Sequence, residues 1–430
     1  MEEWKKCRLG EICKIYGRIG FRGYTVEDLV EDADKGAISL SPTNLIGGVL
    51  DLSKPTYISW DKYYESPEIM IEEDDVVIVK TGSSVGRTAI IRNVLHPMTL
   101  NPQLVVLKDV VINKRYLGYL VKSRDFQGKL ASIVVGSAIP TLSQKNLANL
   151  VIRVPSKETQ ERIACILSAL DDKIELNNRI NHNLEQQAQA LYKSWFVDFE
   201  PFRGGKFVDS ELGLIPEGWR VGCYNDIISS TVSGDWGKDR EVGNYTHKVS
   251  CIRGCDFADV SSGIRGKTPE RFILEKNFKN KRLIDKDIVV EISGGTPTVS
   301  TGRICLVSDN LLDKYSGNIV CTNFCRVIRP CSGYSSYVFY SWLDKYKSRV
   351  MFGYENGTSG IKNFQISDFM EKEPVIIPPQ TVIAKFQTIV EFYQAVIQRN
   401  GNERMECETV RDTLLPKLMS GELKINDLTC

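Results

Sequence analysis

Between Met1 and Cys430 one order of features occurs twice, so the chain has to build two similar cores rather than one large one. Each half opens on a tryptophan, Trp4 ahead of Leu9-Gly10-Glu11-Ile12 and Trp219 at the end of Leu214-Ile215-Pro216-Glu217-Gly218. The run Asp75-Val76-Val77-Ile78-Val79-Lys80-Thr81-Gly82 is echoed by Asp287-Ile288-Val289-Val290-Glu291-Ile292-Ser293-Gly294, each an apolar strand ending in a glycine turn. Both turns pass through Gly-Arg, at Gly86-Arg87 and Gly302-Arg303, into a second strand, which predicts a hairpin in each copy. A third strand follows at residues 103–108 and 324–329, then a helical segment with Tyr116 and Tyr119 or Tyr337 and Tyr340. Gly136-Ser137 and Gly357-Thr358 come next, and a last strand runs into proline at Val154-Pro155 and Ile377-Pro378-Pro379.

After each proline the period becomes helical. Steps of four and three pick out Ile163, Leu167, Leu170, Ile174, Asn177, Asn181, Leu184, Ala188, Leu191 and Trp195 in the first copy. In the second copy they pick out Val382, Phe386, Ile389, Tyr393, Val396, Asn400, Glu403, Cys407, Val410 and Leu414. Seams of this length, about 50 Å at 1.5 Å per residue, predict long helices packed on each other. Asn177, Asn181 and Asn400 fall on the seams, where polar residues set helix register. Pro416 is expected to kink or end the second helix. The expected fold is therefore α+β (mixed α/β), a pseudo-twofold internal repeat of two similar globular domains separated by two long helices packed as an antiparallel coiled coil. Its parts are domain 1 at residues 1–155, a central helix at 156–200, a linker at 201–213, domain 2 at 214–379 and a C-terminal helix at 380–423.

Composition removes several function classes. No apolar stretch approaches the roughly 20 residues of a membrane-spanning helix, and Met1-Glu2-Glu3-Trp4-Lys5-Lys6 does not open like a secretory signal. A cytoplasmic protein with reduced thiols is expected from its 12 scattered cysteines. Cys251-x3-Cys255 and Cys321-x3-Cys325 lack the usual zinc spacing, and three histidines, His96, His182 and His247, are too few and scattered for a metal or nucleophile cluster. No bound metal is expected. Gly82-Ser83-Ser84-Val85-Gly86-Arg87 is too short for a phosphate-binding loop and lacks its lysine, and Asn101-Pro102-Gln103-Leu104 lacks the second proline and the aromatic of an adenine methyltransferase motif. Asp74, Asp75 and Lys80 match a nuclease set superficially, but the second copy has Ile292 where Lys80 stands. No catalytic constellation emerges. Net charge is +1, with a modest local basic surplus in residues 238–286.

Two similar domains with paired helices between them suit a ligand with two sites at a fixed distance, which duplex DNA offers on one face every 34 to 36 Å or so. At this point the chain resembles the specificity subunits of type I restriction-modification enzymes, over essentially its whole length. The resemblance rests on Ile139-Pro140-Thr141-Leu142, Ile152-Arg153-Val154-Pro155, Glu158-Thr159-Gln160-Glu161-Arg162-Ile163 and Leu191-Tyr192-Lys193-Ser194-Trp195-Phe196. It rests further on Leu214-Ile215-Pro216-Glu217-Gly218-Trp219 and Leu414-Leu415-Pro416-Lys417-Leu418-Met419-Ser420-Gly421-Glu422-Leu423. It implies two target-recognition domains, each reading half of a split asymmetric DNA site, with helices fixing the gap. It also implies two modification subunits that use S-adenosylmethionine, and restriction subunits that use ATP and Mg2+, while this chain binds no cofactor and catalyses nothing by itself. The second copy departs from the pattern, with Gly360-Ile361-Lys362-Asn363-Phe364 in place of Ile139-Pro140-Thr141-Leu142, which leaves its loop geometry open.

A scaffold should recur in both copies, whereas segments reading different half-sites should not. The divergent segments, residues 16–64 and 229–281, hold Arg18, Arg22, Asn44, Lys238, Arg240, Lys248 and Arg253, of types that suit guanine and adenine edges. The recurrent turns hold Ser83, Ser84 and Arg87 in one copy and Thr296, Thr298 and Arg303 in the other, types that suit phosphates. Two other readings stand beside this one: a self-sufficient DNA methyltransferase or nuclease, and a coiled-coil adaptor for proteins only.

Overall fold

The computed structural model describes residues 4–136, 138–296, 298–357 and 361–423; Ser137, Thr358 and Gly360 of the motifs above lie outside them. The chain is a mixture of helix and strand that divides into two compact units, Met1–Asp172 with Glu408–Cys430, and Lys173–Cys407.

In the first unit the two main sheets are built from β1 (Lys14–Tyr16), β2 (Leu29–Val30), β3 (Gly36–Leu40), β4 (Tyr57–Ser59), β5 (Val76–Val79), β6 (Thr88–Ile90), β7 (Met98–Leu100) and β8 (Leu104–Lys108). They form two four-stranded sheets, β1-β8-β5-β6, all antiparallel, and β7-β3-β4-β2, in which β3 and β7 run parallel. In β5, Val76 and Ile78 enter one core while Val77 and Val79 enter the other. That two-sided burial is why the strand is an unbroken apolar run rather than an alternating one.

The second unit repeats the plan with β9 (Ile228–Ser233), β10 (Tyr245–Ile252), β11 (Glu270–Leu274), β12 (Ile288–Glu291), β13 (Ile304–Leu306), β14 (Ile319–Cys321) and β15 (Cys325–Pro330). Its sheet β9-β15-β12-β13 has the strand order and directions of β1-β8-β5-β6. Its sheet β11-β10-β14 reproduces β4-β3-β7, parallel step included. The repeat therefore extends into residues 16–64 and 229–281, where the sequences diverge. Even the turn before the central strand recurs. Asp74 and Lys286 take left-handed φ values of 63° and 69°, and the next residue, Asp75 or Asp287, accepts the amide three residues back at 2.8 or 3.0 Å. Each of these buried carboxylates meets a cation at the end of the neighbouring strand, Asp75 with Lys108 at 2.6 Å and Asp287 with Arg329 at 3.0 Å. Burial raises both carboxyls above their ordinary range despite those partners.

Two long helices complete the units, α1 (Lys157–Phe196) and α2 (Gln380–Ser420). Within the second unit their contacts run in opposite directions, Lys173 meeting Glu403, Asn177 meeting Asn400, and Tyr192 meeting Phe386. The first seam is buried or half-buried at every expected position. On the part of α2 in the second unit the most buried side chains are Ile383, Phe386, Val390, Ile397 and Asn400, so the stripe sits one residue later than expected at three steps. Ile383, Phe386 and Val390 share a core with Tyr337, Tyr340 and Phe369 of the globular part, so the helix faces more than its partner. Val410 is exposed, and its neighbour Arg411 reaches Asp171 instead.

Pro416 does not end α2, which continues to Ser420 and stops before Gly421 at a φ of 76°. Burial of Leu418 and Met419 in the first unit's core offsets the hydrogen bond that proline removes. The expected linker, residues 201–213, carries one strand of a hairpin, Phe207–Ser210, which pairs with Gly213–Pro216 at the start of the expected second domain, beside an aromatic cluster of Phe199, Phe202 and Trp219.

Candidate nucleic-acid interface

The recurrent glycine turns join paired strands in both copies. The first closes with Val79 N–H on Arg87 O at 2.9 Å and Gly86 N–H on Val79 O at 2.9 Å, with Gly82 and Gly86 at φ values of 104° and 86°. Only glycine adopts these without strain. The second closes with Glu291 N–H on Arg303 O at 2.8 Å and Gly302 N–H on Glu291 O at 2.9 Å. Ser83 and Arg87 are exposed on the first turn, as are Thr296 and Thr298 on the second, and Ser84 is half-buried. The arginines differ. Arg303 forms a two-point ion pair with the buried Glu291, at 2.8 and 2.6 Å, whereas Arg87 is exposed.

Against each turn lies a second loop. Lys80 N–H donates to Gln103 O at 2.8 Å and Lys80 O accepts from Leu142 N–H at 2.7 Å. In the second copy Ile292 N–H donates to Phe324 O at 2.9 Å and Ile292 O accepts from Phe364 N–H at 2.9 Å. These bonds align Ile139-Pro140-Thr141-Leu142 with Ile361-Lys362-Asn363-Phe364. The loop that the resemblance left open in the second copy thus has the same backbone support, although only the isoleucine is shared. The glycines agree: a Cβ on Gly136 would lie 2.8 Å from Ile139 O, and one on Gly357 would lie 2.7 Å from Ile361 O.

The candidates from the divergent segments separate by burial. Arg18 is 3% exposed and donates to Leu100 O at 2.9 Å, Arg22 O at 3.2 Å and Thr99 Oγ1 at 3.2 Å. Asn44 is buried, capping the turn at Ser41 and donating to Asp51 O at 3.0 Å. Both serve the interior of the domain in this structure. Arg22 is half-buried and pairs with Glu68 at 3.4 Å. Arg253 chelates Asp256 at 3.0 Å through two nitrogens and also donates to Lys267 O at 2.8 Å. Lys238, Arg240 and Lys248 are exposed, Lys238 lying 5.6 Å from the Tyr245 ring centre and Lys248 pairing with Glu270 at 2.9 Å. Charge pattern alone did not single out two aromatic features of these segments. Trp60, Tyr63, Tyr64 and His96 form one ring cluster with Tyr64 65% exposed, and the Arg271 guanidinium lies 3.7 Å from the Trp236 ring centre. The spacing Trp60-x2-Tyr63-Tyr64 was the available signal.

The residues weighed for catalysis are not brought together. Asp75 and Lys80 stand at opposite ends of β5, roughly 16 Å apart at the rise of a strand, and Asp74 is paired to Arg115 at 3.0 Å. Cys251, Cys321 and Cys325 are buried, and burial pushes the Cys251 and Cys325 thiols up to about 12, so they are neutral core side chains. His182 is exposed on α1, while His247 stacks on Phe278 with Glu275 at 2.7 Å and Asn318 at 3.1 Å. Among the described residues no group of three or more His, Cys, Asp or Glu is placed to hold a metal ion, and no helix is long and apolar enough to cross a membrane.

The seam asparagines converge. Asn181, 4% exposed, donates to Ile397 O and Ser262 O, each at 3.2 Å, and accepts from Asn400 Nδ2 at 2.9 Å. Asn177 donates to Asn400 O at 3.3 Å and to Glu403 at 2.9 Å. Beside them Gly401 sits so close to Gly263 that a Cβ would lie 2.2 Å from its carbonyl oxygen. Lys314 Nζ donates to that same oxygen, and burial lowers this amine to about 8. The cluster fixes how this globular domain sits on its own helix pair. A hub in the first unit does the same: Asp171 of α1 accepts from Tyr119 at 2.7 Å, Arg92 at 3.3 Å and Arg411 of α2 at 2.9 Å.

Comparison with known proteins gives a consistent result. Residues 1–186 match the type I restriction modification DNA specificity domain. The specificity subunit of the type I restriction enzyme MjaIX from Methanocaldococcus jannaschii is 31% identical over 377 residues, 86% of this chain and 82% of that protein. The HindI specificity subunit from Haemophilus influenzae is 24% identical over 473 residues, 98% of this chain and 100% of its own. Among solved structures, the type I restriction-modification S subunit from M. genitalium has the same fold, with a TM-score of 0.57 at 14% identity, covering 97% of this chain and 96% of that one.

Proposed function

The chain belongs to the family of type I restriction enzyme specificity subunits, and from that premise we propose that each of its globular domains reads one half of a bipartite, asymmetric DNA site. The observation that carries this reading is one frame used twice with unequal surfaces. The sheets, the buried Asp75–Lys108 and Asp287–Arg329 pairs and the glycine turns recur, whereas Arg87 is exposed and Arg303 is held by Glu291. Equal surfaces would suit equal half-sites. Unequal surfaces on a common frame suit two different sequences met in the same way, with polar turns at the backbone and divergent side chains at base edges.

In this reading α1 and α2 set the gap between half-sites and dock two modification subunits, which supply S-adenosylmethionine and methylate adenine. Restriction subunits supply the ATP- and Mg2+-dependent motor and nuclease. This chain contributes recognition only, without catalysis or a cofactor of its own, in the cytoplasm and on double-stranded DNA. A mobility-shift series across salt, with and without the modification subunits, tests it. Sequence-specific binding mainly in their presence, weakening as salt rises, is expected. Methylation by the purified chain alone would favour a self-sufficient enzyme. A complex without salt-dependent DNA affinity would favour a protein-only adaptor.

A further inference from the structure

Ile139 is 65% exposed and Ile361 is 62% exposed. One exposed isoleucine carries little meaning on any surface. Here the same residue is exposed twice, at positions matched by their hydrogen bonds, although the three residues that follow it differ. In both copies a left-handed glycine, Gly136 or Gly357, lies so close to the isoleucine's carbonyl that a Cβ would meet its oxygen at 2.8 or 2.7 Å. Neither side chain stands alone: Val135 is 57% exposed in the first loop, and Phe324 is 63% exposed on the segment bonded to the second turn.

The surroundings identify the occupant. Gly82 N–H donates to Pro140 O at 3.0 Å, which brings the segment of Ile139 against the turn that carries the exposed Ser83 and Arg87. Gly294 pairs with Lys362, which brings the segment of Ile361 against the turn that carries the exposed Thr296 and Thr298. Exposed hydroxyls in both copies, with a cation in the first, near an exposed apolar side chain match a DNA strand, whose phosphates alternate with apolar sugar faces and base edges. A feature shared by two domains that read different sequences suits what the half-sites have in common.

Resting on the DNA-recognition reading above, we infer that Ile139 and Ile361 are paired apolar wedges. Each packs into a groove of its own half-site against sugars and base edges, positioning the domain without selecting the sequence.

The test uses the complex of this chain with its modification subunits and a duplex carrying the methylated motif. Ile139→Ser and Ile361→Ser should each weaken equilibrium binding about tenfold, equivalent to about 1.4 kcal/mol. Ile139→Val should bind nearly as wild type. The methylated motif, the salt slope and the melting temperature of the chain should not change, because the side chains face solvent and carry no charge. Serine variants that bind as tightly as wild type would overturn the wedge alone, while a wild-type complex that fails to bind duplex would overturn the underlying reading. A changed motif would make these residues readers. Lost assembly with normal affinity in the remaining complex would assign the loops to a protein partner. Either result contradicts the proposal.

Discussion

Replacing Asp171 by alanine removes the carboxylate that ties the first globular domain to both helices of its unit. Its side chain is 16% exposed, and its partners Arg92 and Arg411 are 18% and 27% exposed. Deleting one member of a buried ion pair typically costs about 3–5 kcal/mol, because the other charge is left desolvated. Arg411 keeps Asp412 at 2.8 Å and Arg92 keeps Asp74 at 3.6 Å, which places the expected loss near the lower end, about 3 kcal/mol. For a unit of this size that is a fall in melting temperature of roughly 6–12 °C. Burial opposes ionisation of Asp171, but the hydrogen bonds from Arg411 and Tyr119 outweigh it and hold the carboxyl below its ordinary 3.8. A carboxyl lowered in the folded state stabilises above its unfolded value, and that stabilisation disappears as pH falls through the lowered value. The gap between wild type and Asp171→Ala, measured by calorimetry at low salt, should therefore be constant near neutrality and close below about pH 4. Asp171→Ala combined with Arg411→Ala should be clearly non-additive. A loss under about 1 kcal/mol at pH 7, or a gap undiminished at pH 3, would refute the reasoning.

Other perturbations follow from the same geometry. Gly401→Ala gains about 1 kcal/mol of helix propensity, but its Cβ meets backbone at 2.2 Å, so overpacking of about 1–3 kcal/mol should win and lower the denaturation midpoint. Lys314 has a folded value of about 8 against its ordinary 10.5, so the unfolded state binds more protons between them and stability should rise with pH across that window. Lys314→Met should flatten that rise in pH-dependent denaturation. The two turn arginines should part company: Arg87→Ala should melt as wild type while reducing the salt slope of DNA binding by about 0.9. Arg303→Ala strands Glu291 and should cost the domain about 1–2 kcal/mol in urea denaturation, discounted because Arg303 is 39% exposed.

Features with a strong local signal are legible in the chain's own residues. The apolar runs after Asp75 and Asp287 are strands because both faces are buried, and the turns between paired strands follow from glycines that must take positive φ. The long helices are legible from period alone, but not the position of the stripe on α2, because a helix packing on two surfaces spreads its apolar residues over a wider arc. Most of the second sheet of each domain lies in the divergent segments, since β3 and β10 share topology without sharing side chains. Arg18 illustrates the limit of reading charge: its sequence environment resembles that of an exposed cation, yet carbonyls from 82 and 4 residues away take its donors. The loops at Ile139 and Ile361 can be equated only through their hydrogen bonds, because a backbone can recur where three of four side chains do not.

The most direct test of two-domain recognition is the DNA methylation pattern of a host carrying the modification subunits, sequenced with and without this chain. One added adenine-methylated motif is expected, with two unequal halves and a fixed gap that lengthens when matched heptads are inserted into α1 and α2. A pattern unchanged by the chain, or a motif with two identical halves, would contradict it.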